Sequence, residues 1–508
     1  MKKEVIIIGS GLGGLVSAAS LAKQGKKVTV LEQHYQQGGY ATSFRRKKLE
    51  FEVSLHLMGD LGEGGGLKKI LDELGVLQKV SFYKVDSLYK AVFPDKSIVA
   101  LSGNYKDYAQ SLLSMFPHEK NGIEEIIATF LQIRNEIQSI TEKRNSGEHI
   151  DFINEAPTVF AYQNETLHSM LSKFINSKEL ISVFSQYWMY FGLPPSQMAA
   201  VFYAYVWTEY HVFGGYYPES RSQSISDALK EIIVENGGEV LLRKKVMKIL
   251  HEEGKVFGVE TARGERFFSD YIISNANPHH TFHELVGGYE YLPKRYATKV
   301  KNQVPSLSCV QAYVYLDIDL PKQYNESNHE IFVNEHYDTE KAYEDVLNNS
   351  PKTAPFCITI YENINKEYHE IGKTTLSLFQ LSSYEQWKNL DKNVYVAKKQ
   401  ELIEILLTRL DEQYPGTKEH VEYVELSTPF TNERYTKNTN GAIYGAAQTV
   451  SQSLHRRLPQ QTPITGLYLA GAWTQPGGGY SGSIWSGYNL ANSILLEERK
   501  RLANVTNE

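Results

Sequence analysis

The sequence predicts an α/β fold in which a doubly wound parallel sheet is interleaved with an α+β region that contains a mainly antiparallel sheet and apolar helices. Three observations carry this prediction. The first fifty residues read as strand, glycine-rich turn, helix and strand. A long aromatic segment without charged residues lies near the middle of the chain, and three β-rich runs follow it. Such alternation of elements favours layered domains rather than a string of repeats.

Composition limits the classes of function. The chain has 508 residues, 42% of them hydrophobic, which is ample for a buried core and excludes disorder. With 53 Lys+Arg against 59 Asp+Glu and no long basic tract, nucleic acid is not expected as the main partner. The 2 cysteines offer no disulfide framework, so a reducing, cytoplasmic location is expected. The oligomeric state stays open.

The N-terminal residues predict a βαβ unit. Val5–Ile8 is a β-branched run typical of a parallel strand that is covered on both faces, and Lys27–Glu32 is the second strand. Small residues on one face of the intervening helix allow it to approach the sheet closely. Although Val5–Ala22 superficially resembles an export signal, its four glycines and the strand that follows indicate a folded unit.

The middle of the chain predicts helices of two kinds. Residues His118–Asn154 are charge-rich and predict a solvated helical layer. Leu180–Thr208 contains no Asp, Glu, Lys or Arg, and Gly192–Pro195 divides it into halves of about 13 residues. Each half is too short to span a bilayer of about 30 Å as a helix. The segment is therefore either core or the lining of an apolar cavity, and a monotopic dip into a membrane surface is left open.

Later elements follow from the same patterns. The sequence predicts helices at Ser224–Asn236 and Val394–Tyr414, a strand at Gly238–Ile249, further strands at Val256–Glu260, Arg266–Ser274 and Leu467–Ala470, and the three β-rich runs Ser306–Leu316, Pro355–Tyr361 and Thr375–Leu381. The glycine-rich run Gly62–Gly66 does not follow a strand and is interpreted as a loop.

A GxGxxG motif spans Gly9–Gly14, directly after the first strand and at the start of a helix. Gly9 permits the tight turn, Gly11 lets a pyrophosphate reach the backbone, and Gly14 lets the helix pack on the strand. Glu32 ends the second strand, where a carboxylate accepts hydrogen bonds from a ribose diol and repels a 2′-phosphate. We therefore expect an adenine dinucleotide without that phosphate, either FAD or NAD.

A second glycine turn at Gly38–Gly39 distinguishes these two cofactors, because a flavoprotein needs such a turn near its pyrophosphate and ribityl chain. The stretch from Gly9 to Phe44 resembles the start of the FAD-dependent phytoene desaturase, carotenoid isomerase and retinol saturase superfamily. Residues 466–487 resemble the C-terminal flavin segment of that family, whose glycines let backbone amides approach the isoalloxazine ring. The resemblance implies FAD, and a second, nicotinamide-binding domain is not evident.

The resemblance also implies a domain plan and a set of cofactor contacts. A discontinuous FAD-binding domain of the glutathione-reductase type would comprise residues 1–85, 215–290 and 425–505, and a substrate-binding domain would comprise residues 86–214 and 291–424. The expected FAD-binding residues are Gly9, Ser10, Gly11, Leu12, Gly13, Gly14, Glu32, Gln33, Gly38, Gly39, Thr42, Ser43, Val246, Gly471, Ala472, Gly479, Tyr480 and Gly482. Val246 would contact the adenine through its backbone, although an ordinary buried strand valine fits the sequence equally well.

Two departures from the family pattern bear on the reaction. Tyr40 stands where most desaturases and amine oxidases carry an arginine after the glycine pair, and His56 replaces the proline of typical desaturases. Both features resemble the isomerase and saturase branches. His56 is the candidate catalytic residue, with a satisfied core histidine as the alternative. In a third segment, Gly214–Gln223, Ser220 to Ser222 replace glycines of a turn found in relatives.

The resemblance implies an FAD oxidoreductase that transfers a hydride between flavin and a carbon of a long apolar polyene or isoprenoid, with saturation or isomerisation favoured over desaturation. A flavin amine or amino-acid oxidase and a non-catalytic prenyl-binding protein are the alternatives. No metal site is expected, because HExxH and Cys-containing ligand clusters are absent from the sequence. Arg45–Lys48 predicts a solvated hairpin, and a peripheral contact with anionic lipid is left open.

Overall fold

A computed structural model describes residues 4–364 and 372–505. Its strands are β1 (Glu4–Ile8), β2 (Lys27–Leu31), β3 (Ser43–Arg46), β4 (Leu49–Glu52), β5 (Phe82–Lys84), β6 (Ser87–Val92), β7 (Ser97–Leu101), β8 (Tyr216–Pro218), β9 (Glu239–Leu241), β10 (Val246–Glu252), β11 (Lys255–Thr261), β12 (Arg266–Phe268), β13 (Ile272–Ser274), β14 (Ser308–Leu316), β15 (Glu330–Val333), β16 (Phe356–Ile360), β17 (Thr374–Ser382), β18 (Val421–Ser427) and β19 (Leu467–Leu469). Its α-helices are α1 (Leu12–Lys23), α2 (Gly66–Leu74), α3 (Tyr105–Met115), α4 (Lys120–Ser146), α5 (Phe152–Glu155), α6 (Pro157–Tyr162), α7 (Leu167–Leu171), α8 (Lys178–Phe184), α9 (Ala200–His211), α10 (Gln223–Glu235), α11 (Lys294–Lys301), α12 (Leu320–Tyr324), α13 (Thr339–Leu347), α14 (Lys392–Gln413), α15 (Pro429–Thr436) and α16 (Gly479–Val505).

The predicted parallel sheet is present, with strand order β19-β13-β1-β2-β9. Its pairs are all parallel, and β1 lies at its centre. Val5 and Ile7 pack on the side of α1, whereas Ile6 and Ile8 pack on the side of β10 and β11. This alternation buries both faces of β1, as expected for a covered parallel strand.

Two layers cover the parallel sheet. On one side, helices α10 and α16 both pack against α1. On the other side lies a three-stranded antiparallel sheet in the order β10-β11-β12. This arrangement agrees with the predicted Rossmann-like domain of the glutathione-reductase type, in which a small antiparallel layer replaces helices on one face.

The second large sheet has seven strands in the order β18-β14-β17-β16-β15-β6-β7. All of its pairs are antiparallel except β15 with β6. The three β-rich runs of the sequence form β14, β16 and β17, so the expected mainly antiparallel sheet is confirmed. Strands β6, β7, β15 and β18 of this sheet are not among the elements that the sequence predicted.

Three predictions of single elements were wrong. Gly238–Ile249 is not one strand, because β9 joins the parallel sheet and β10 begins the antiparallel layer after a turn. Arg266–Ser274 likewise divides between β12 and β13, which belong to different sheets. Gly66 is already the first residue of α2, so the glycine-rich loop ends at Gly65. In the first two cases a turn of a few residues lets the chain move from one sheet to another.

The prediction of a solvated helical layer at His118–Asn154 was wrong for one face of α4. Its residues Ile123, Ile126, Phe130 and Ile133 are fully buried in the largest hydrophobic cluster, which also holds much of α9. The charged residues that dominate its composition lie on the opposite face, so the apolar stripe was masked by their number. The predicted aromatic segment Leu180–Thr208 forms α8, a 3₁₀ turn and most of α9 within the same cluster.

A discontinuous division into two domains at residues 86, 215, 291 and 425 stays a prediction. Strand β18 spans the last of these boundaries. Over the described ranges, none of the helices is both long enough and apolar enough to cross a membrane.

Candidate functional site

The glycine-rich turn lies where the carboxyl end of β1 meets the start of α1. Gly9 has a φ of 90°, which a residue with a side chain rarely adopts. A Cβ atom on Gly14 would stand 2.3 Å from the carbonyl oxygen of Gly9, so the turn closes against the first helical residues. Gly14 therefore serves packing, as the sequence indicated, and it is absent from the lining of the adjacent cavity.

The second glycine turn stacks directly on the first. The Gly38 N–H donates a 2.9 Å hydrogen bond to the carbonyl oxygen of Ser10, and a Cβ atom on Gly39 would lie 3.3 Å from Cα of Gly11. Gly38 and Gly39 both have positive φ angles, of 120° and 64°. The two turns thus form one wall of bare backbone.

Glu32 stands at the end of β2 beside this wall. Its carboxylate accepts hydrogen bonds from the Ser10 N–H (2.8 Å), the Ser10 hydroxyl (2.7 Å) and the His34 N–H (2.8 Å). A carboxylate can accept about four hydrogen bonds, so these three donors leave room for about one more. The carboxylate is held in place at the cavity wall, where the sequence expected it to receive a ribose hydroxyl.

The C-terminal glycine segment meets the N-terminal turn. A Cβ atom on Gly13 would lie 2.7 Å from Cα of Gly471, and one on Gly487 would lie 2.4 Å from the carbonyl oxygen of Gly13. The Ser17 hydroxyl also donates to the Gly487 carbonyl oxygen at 3.2 Å. The two predicted cofactor segments, more than 450 positions apart in the chain, therefore pack backbone to backbone.

Asn275 joins these segments and was missed in the sequence. It follows β13, and its side chain would stand 2.7 Å from a Cβ on Gly11 and 2.5 Å from one on Gly471. Its position after a strand could have indicated this role, because the carboxyl ends of neighbouring parallel strands lie at the same edge of a sheet. We refer to Gly9, Gly11, Gly13, Gly39 and Gly471 as the glycine cradle.

One long cavity of about 1830 Å³ begins at the glycine cradle. Of the predicted cofactor-binding residues, all except Gly14 line it, as does His56. Val246 lies on its wall as the first residue of β10. The fold thus brings the candidate residues together, although their individual contacts with a cofactor stay predictions.

The same cavity continues into a space that we call the aromatic chamber. The chamber is lined by Tyr190, Phe191, Phe202, Tyr205, Val206, Tyr210, Phe379 and Tyr444. Five of these residues belong to Leu180–Thr208, so that segment contributes a cavity lining as well as core. Tyr40 lies on the cavity wall, and its hydroxyl donates to the carbonyl oxygen of Ala442 at 3.3 Å.

His56 is held at the cavity wall by a buried carboxylate. Its Nδ1 atom lies 3.0 Å from Oε1 of Glu330 and 2.8 Å from the hydroxyl of Thr359. Glu330, the first residue of β15, is fully buried. Burial raises the pKa of Glu330, but the interaction with His56, supported by His329 and Cys357, outweighs burial and holds that pKa below its ordinary value.

Glu330 receives several further hydrogen bonds. Its carboxylate accepts from the hydroxyl of Tyr190 (2.9 Å), the thiol of Cys357 (2.6 Å) and the hydroxyl of Thr359 (2.9 Å). His56, Glu330 and Cys357 also form a group whose potential metal-ligand atoms lie within 4.8 Å of one another, a proximity that the sequence did not reveal. The hydrogen bonds occupy the Glu330 oxygens and account for the cluster on their own.

The site therefore fits a dinucleotide with an extended apolar neighbour. The glycine cradle is backbone that side chains would fill, it stands at the start of α1, and it opens into the aromatic chamber. These features define the class of protein as a dinucleotide-dependent enzyme of the two-sheet flavoprotein type.

Comparison with known families gives the particular assignment. The flavin-containing amine oxidoreductase family matches residues 12–495, and the chain belongs to that family. Its cofactor is FAD, and it is an FAD-dependent oxidoreductase. The expected resemblance to the FAD-dependent carotenoid isomerase and retinol saturase superfamily is confirmed.

Two characterised relatives and one solved structure illustrate the similarity. The chain is 27% identical over 515 residues to the chloroplastic prolycopene isomerase of Arabidopsis thaliana, covering 99% of this chain and 85% of that protein. It is 28% identical over 509 residues to the all-trans-retinol 13,14-reductase of Danio rerio, covering 92% and 82%. An oxidoreductase structure from Methanosarcina mazei shares the fold with a TM-score of 0.65 at 20% identity, covering 96% and 99%.

Proposed function

We propose that this enzyme transfers a hydride between its flavin and a carbon–carbon bond of a long apolar polyene or isoprenoid, carotenoid-like or retinoid-like in character. The observation that carries the proposal is the single cavity of about 1830 Å³ that joins the glycine cradle to the aromatic chamber. An extended hydrocarbon is the kind of ligand that such a lining stabilises through burial of apolar surface. The two characterised relatives support this substrate class by their names.

Saturation or isomerisation is favoured over desaturation. Tyr40 replaces the arginine that most desaturases carry, and its hydroxyl is engaged with the Ala442 carbonyl oxygen at the cavity wall. His56 supplies a titratable group that typical desaturases lack at that position. Saturation adds a hydride and a proton to adjacent carbons and desaturation removes both, so the preference rests on the match of Tyr40 and His56 to the isomerase and saturase branches.

The residues of this chain would divide the work as follows. Bound FAD supplies the hydride donor or acceptor. His56 Nδ1 is engaged by Glu330 and Thr359, so Nε2 remains for the cavity and would hold the proton that the neighbouring carbon gains or loses. Glu330 acts through His56 by accepting a hydrogen bond from Nδ1 and fixing the orientation of the ring. The aromatic chamber excludes water from the reacting bond.

An amine or amino-acid oxidase on the same scaffold is the main alternative, and it requires a charged anchor in the chamber. Glu209, directly after the aromatic segment, lines the cavity and is such a carboxyl. Burial raises its pKa to about 8, aided by Asp60 and opposed by Arg134, so it is mostly neutral at pH 7. A neutral carboxyl with Arg134 nearby is unfavourable for an ammonium group, which disfavours this alternative. The other alternative, a prenyl-binding protein, would not need the intact glycine cradle.

The test is anaerobic incubation of the oxidised and the reduced holoenzyme with carotenoids, retinoids and unsaturated lipids, followed by mass spectrometry and chromatography. A gain of two hydrogens identifies a saturase, unchanged mass with altered retention an isomerase, and a loss of two hydrogens a desaturase. Hydrogen peroxide formed from amines, with no polyene consumed, would refute the proposal. The variant His56→Gln should slow turnover about 100-fold with flavin content unchanged.

A matched control uses another histidine–carboxylate pair. His420 lies 2.8 Å from Asp317 on the surface, and neither residue lines the cavity. His420→Gln should leave turnover unaltered. Cytoplasmic location and peripheral membrane contact stay predictions, to be examined by fractionation of cells that express the full chain.

A further inference from the structure

Two buried ionisable side chains line the long cavity beside the aromatic ring of Tyr205. Arg134 of α4 and Glu209 of α9 both line it, and each is 4% exposed. Tyr205, whose ring lies against the Arg134 guanidinium, also lines the cavity. A cavity that binds only hydrocarbon gains nothing from buried polar side chains in its wall.

Glu209 has no hydrogen-bond partner for its carboxyl group among the described residues, although it is almost completely buried. Its backbone is fixed, because the Asp60 N–H donates to the Glu209 carbonyl oxygen at 2.9 Å. Gly59 also packs tightly on it, since a Cβ there would stand 2.9 Å from the Glu209 Cβ. The carboxyl is therefore held at the cavity wall with unused donor and acceptor capacity.

Arg134 is only partly satisfied. One guanidinium nitrogen, Nη2, donates to Asp60 at 2.6 Å, but Nε and Nη1 have no hydrogen-bond partner in the described part of the chain. The guanidinium lies over the rings of Tyr205 and Phe213, at 4.4 and 4.8 Å from their centroids. These two cation–π contacts fix the Arg134 guanidinium beside Glu209.

Glu136 shows that the fold can satisfy a carboxylate in this region. It lies on the same helix as Arg134 and is likewise 4% exposed. Its oxygens accept hydrogen bonds from Gln132 and from the N–H groups of Thr158 and Val159, at 2.8 to 3.2 Å. Within the described ranges the Glu209 carboxyl lacks such partners and lines the cavity, so its oxygens are available to a ligand there.

We propose that Glu209 and Arg134 bind an uncharged oxygen function, a hydroxyl or a carbonyl, at one end of the apolar substrate. The inference rests on the proposed function and narrows its substrate class to polyenes with an oxygenated terminus. Charge balance selects an uncharged group, because the Asp60 carboxylate already pairs with the Arg134 guanidinium and Glu209 is mostly neutral at pH 7. A substrate carboxylate would add an uncompensated negative charge to a buried site.

The test is equilibrium binding of matched C20 polyenes to the oxidised holoenzyme. Binding is measured by the quenching of tryptophan fluorescence. The polyenes differ only in their terminus, which is methyl, hydroxymethyl, aldehyde or carboxylate. We expect the hydroxymethyl and aldehyde compounds to bind about tenfold more tightly than the hydrocarbon, with the carboxylate weaker than both. In Glu209→Leu this preference should disappear, whereas Glu209→Gln, which keeps a donor and an acceptor, should retain most of it.

Infrared difference spectroscopy gives a second readout that does not depend on a folded leucine variant. The carboxylic acid band of Glu209, identified by its loss in Glu209→Gln, should shift when the hydroxymethyl polyene binds and stay in place with the hydrocarbon. Glu142→Gln is the control, since Glu142 is an exposed carboxylate of the same helix that also borders the cavity. It should change neither the preference nor the band.

The outcomes separate this inference from the proposed function. Equal affinity for all four termini, with no band shift, would overturn the inference while leaving a polyene oxidoreductase intact. If no polyene binds or reacts, the proposed function itself fails. Tightest binding of the carboxylate would also overturn the inference, because it would show that Arg134 acts as an anion site.

Discussion

Nδ1 of His56 lies 3.0 Å from the carboxylate of Glu330, although the two residues are 274 positions apart in the chain. His56 comes from the loop after β4, and Glu330 begins β15 of the seven-stranded sheet. The contact therefore joins the region of the glycine cradle to the sheet beneath the aromatic chamber. It couples the placement of the candidate proton carrier to the packing of the whole cavity.

Replacing Glu330 with Gln should lower the free energy of unfolding by about 3–5 kcal/mol at pH 7, because four donors lose a buried anion. The folded-state pKa of Glu330 lies below its unfolded value of 4.5, so this stabilisation exists above pH 4.5 and is lost as the pH falls through the folded pKa. Urea unfolding of both proteins between pH 3 and 7 checks this. Parallel stability curves over that range would contradict it.

Replacing Gly13 with Ala should abolish FAD binding, even though alanine is the better helix former. The added Cβ would stand 2.7 Å from Gly471 and 2.6 Å from Oδ1 of Asn275, which forces the two cofactor segments apart. The measurement is the flavin-to-protein absorbance ratio after reconstitution. Gly264→Asn is the control, since this turn glycine has a φ of 74° and open space around it, and it should bind FAD normally.

Replacing Glu32 with Gln should weaken FAD binding about 10-fold or more, because the charge-assisted hydrogen bonds at the end of β2 are lost and Ser10 is released. Isothermal titration of the apoprotein with FAD measures the effect. Glu239→Gln on the neighbouring strand is the matched control, since Glu239 accepts a hydrogen bond from Thr29 but lies outside the cavity lining. Comparable affinities for the two variants would contradict the role of Glu32.

Replacing Glu209 with Gln should raise the free energy of unfolding at pH 7 by about 1–3 kcal/mol. Burial, Asp60 and Arg134 together place the folded-state pKa of Glu209 at about 8, above the unfolded value of 4.5. The wild-type protein thus loses stability as the pH rises from 4.5 through 8, and the variant lacks this loss. Thermal unfolding from pH 5 to 9 tests the prediction. A gap between the two proteins that does not widen with pH would contradict it.

The cofactor end of the site was predictable because its chemistry is local. Gly9–Gly14, Glu32 and Gly38–Gly39 lie within forty residues, and each type of residue is required by backbone geometry or by a ribose. The aromatic segment was predictable as a lining, since the absence of charge over Leu180–Thr208 needs no tertiary information.

The polar parts of the cavity could not be predicted in the same way. Glu330 looks like any strand-end glutamate until β15 pairs with β16 and brings Thr359 and Cys357 beside it. Arg134 belongs to a charge-rich helix that resembles a solvated surface, and Glu209 merely ends an apolar run. Their burial depends on how α4 packs against α9, which no local pattern encodes.

The contact of Gly13 with Gly471 and Gly487 has a consequence for biogenesis. During translation the first glycine turn leaves the ribosome early. Gly471 and Gly487, which pack against it, are made only near the end of synthesis. If both segments hold FAD, as predicted, retention of FAD requires that α16 has docked on α1, so loading with cofactor and closure of the core become one late, cooperative event. Flavin supply in the cell would then govern how much of the newly made protein escapes proteolysis.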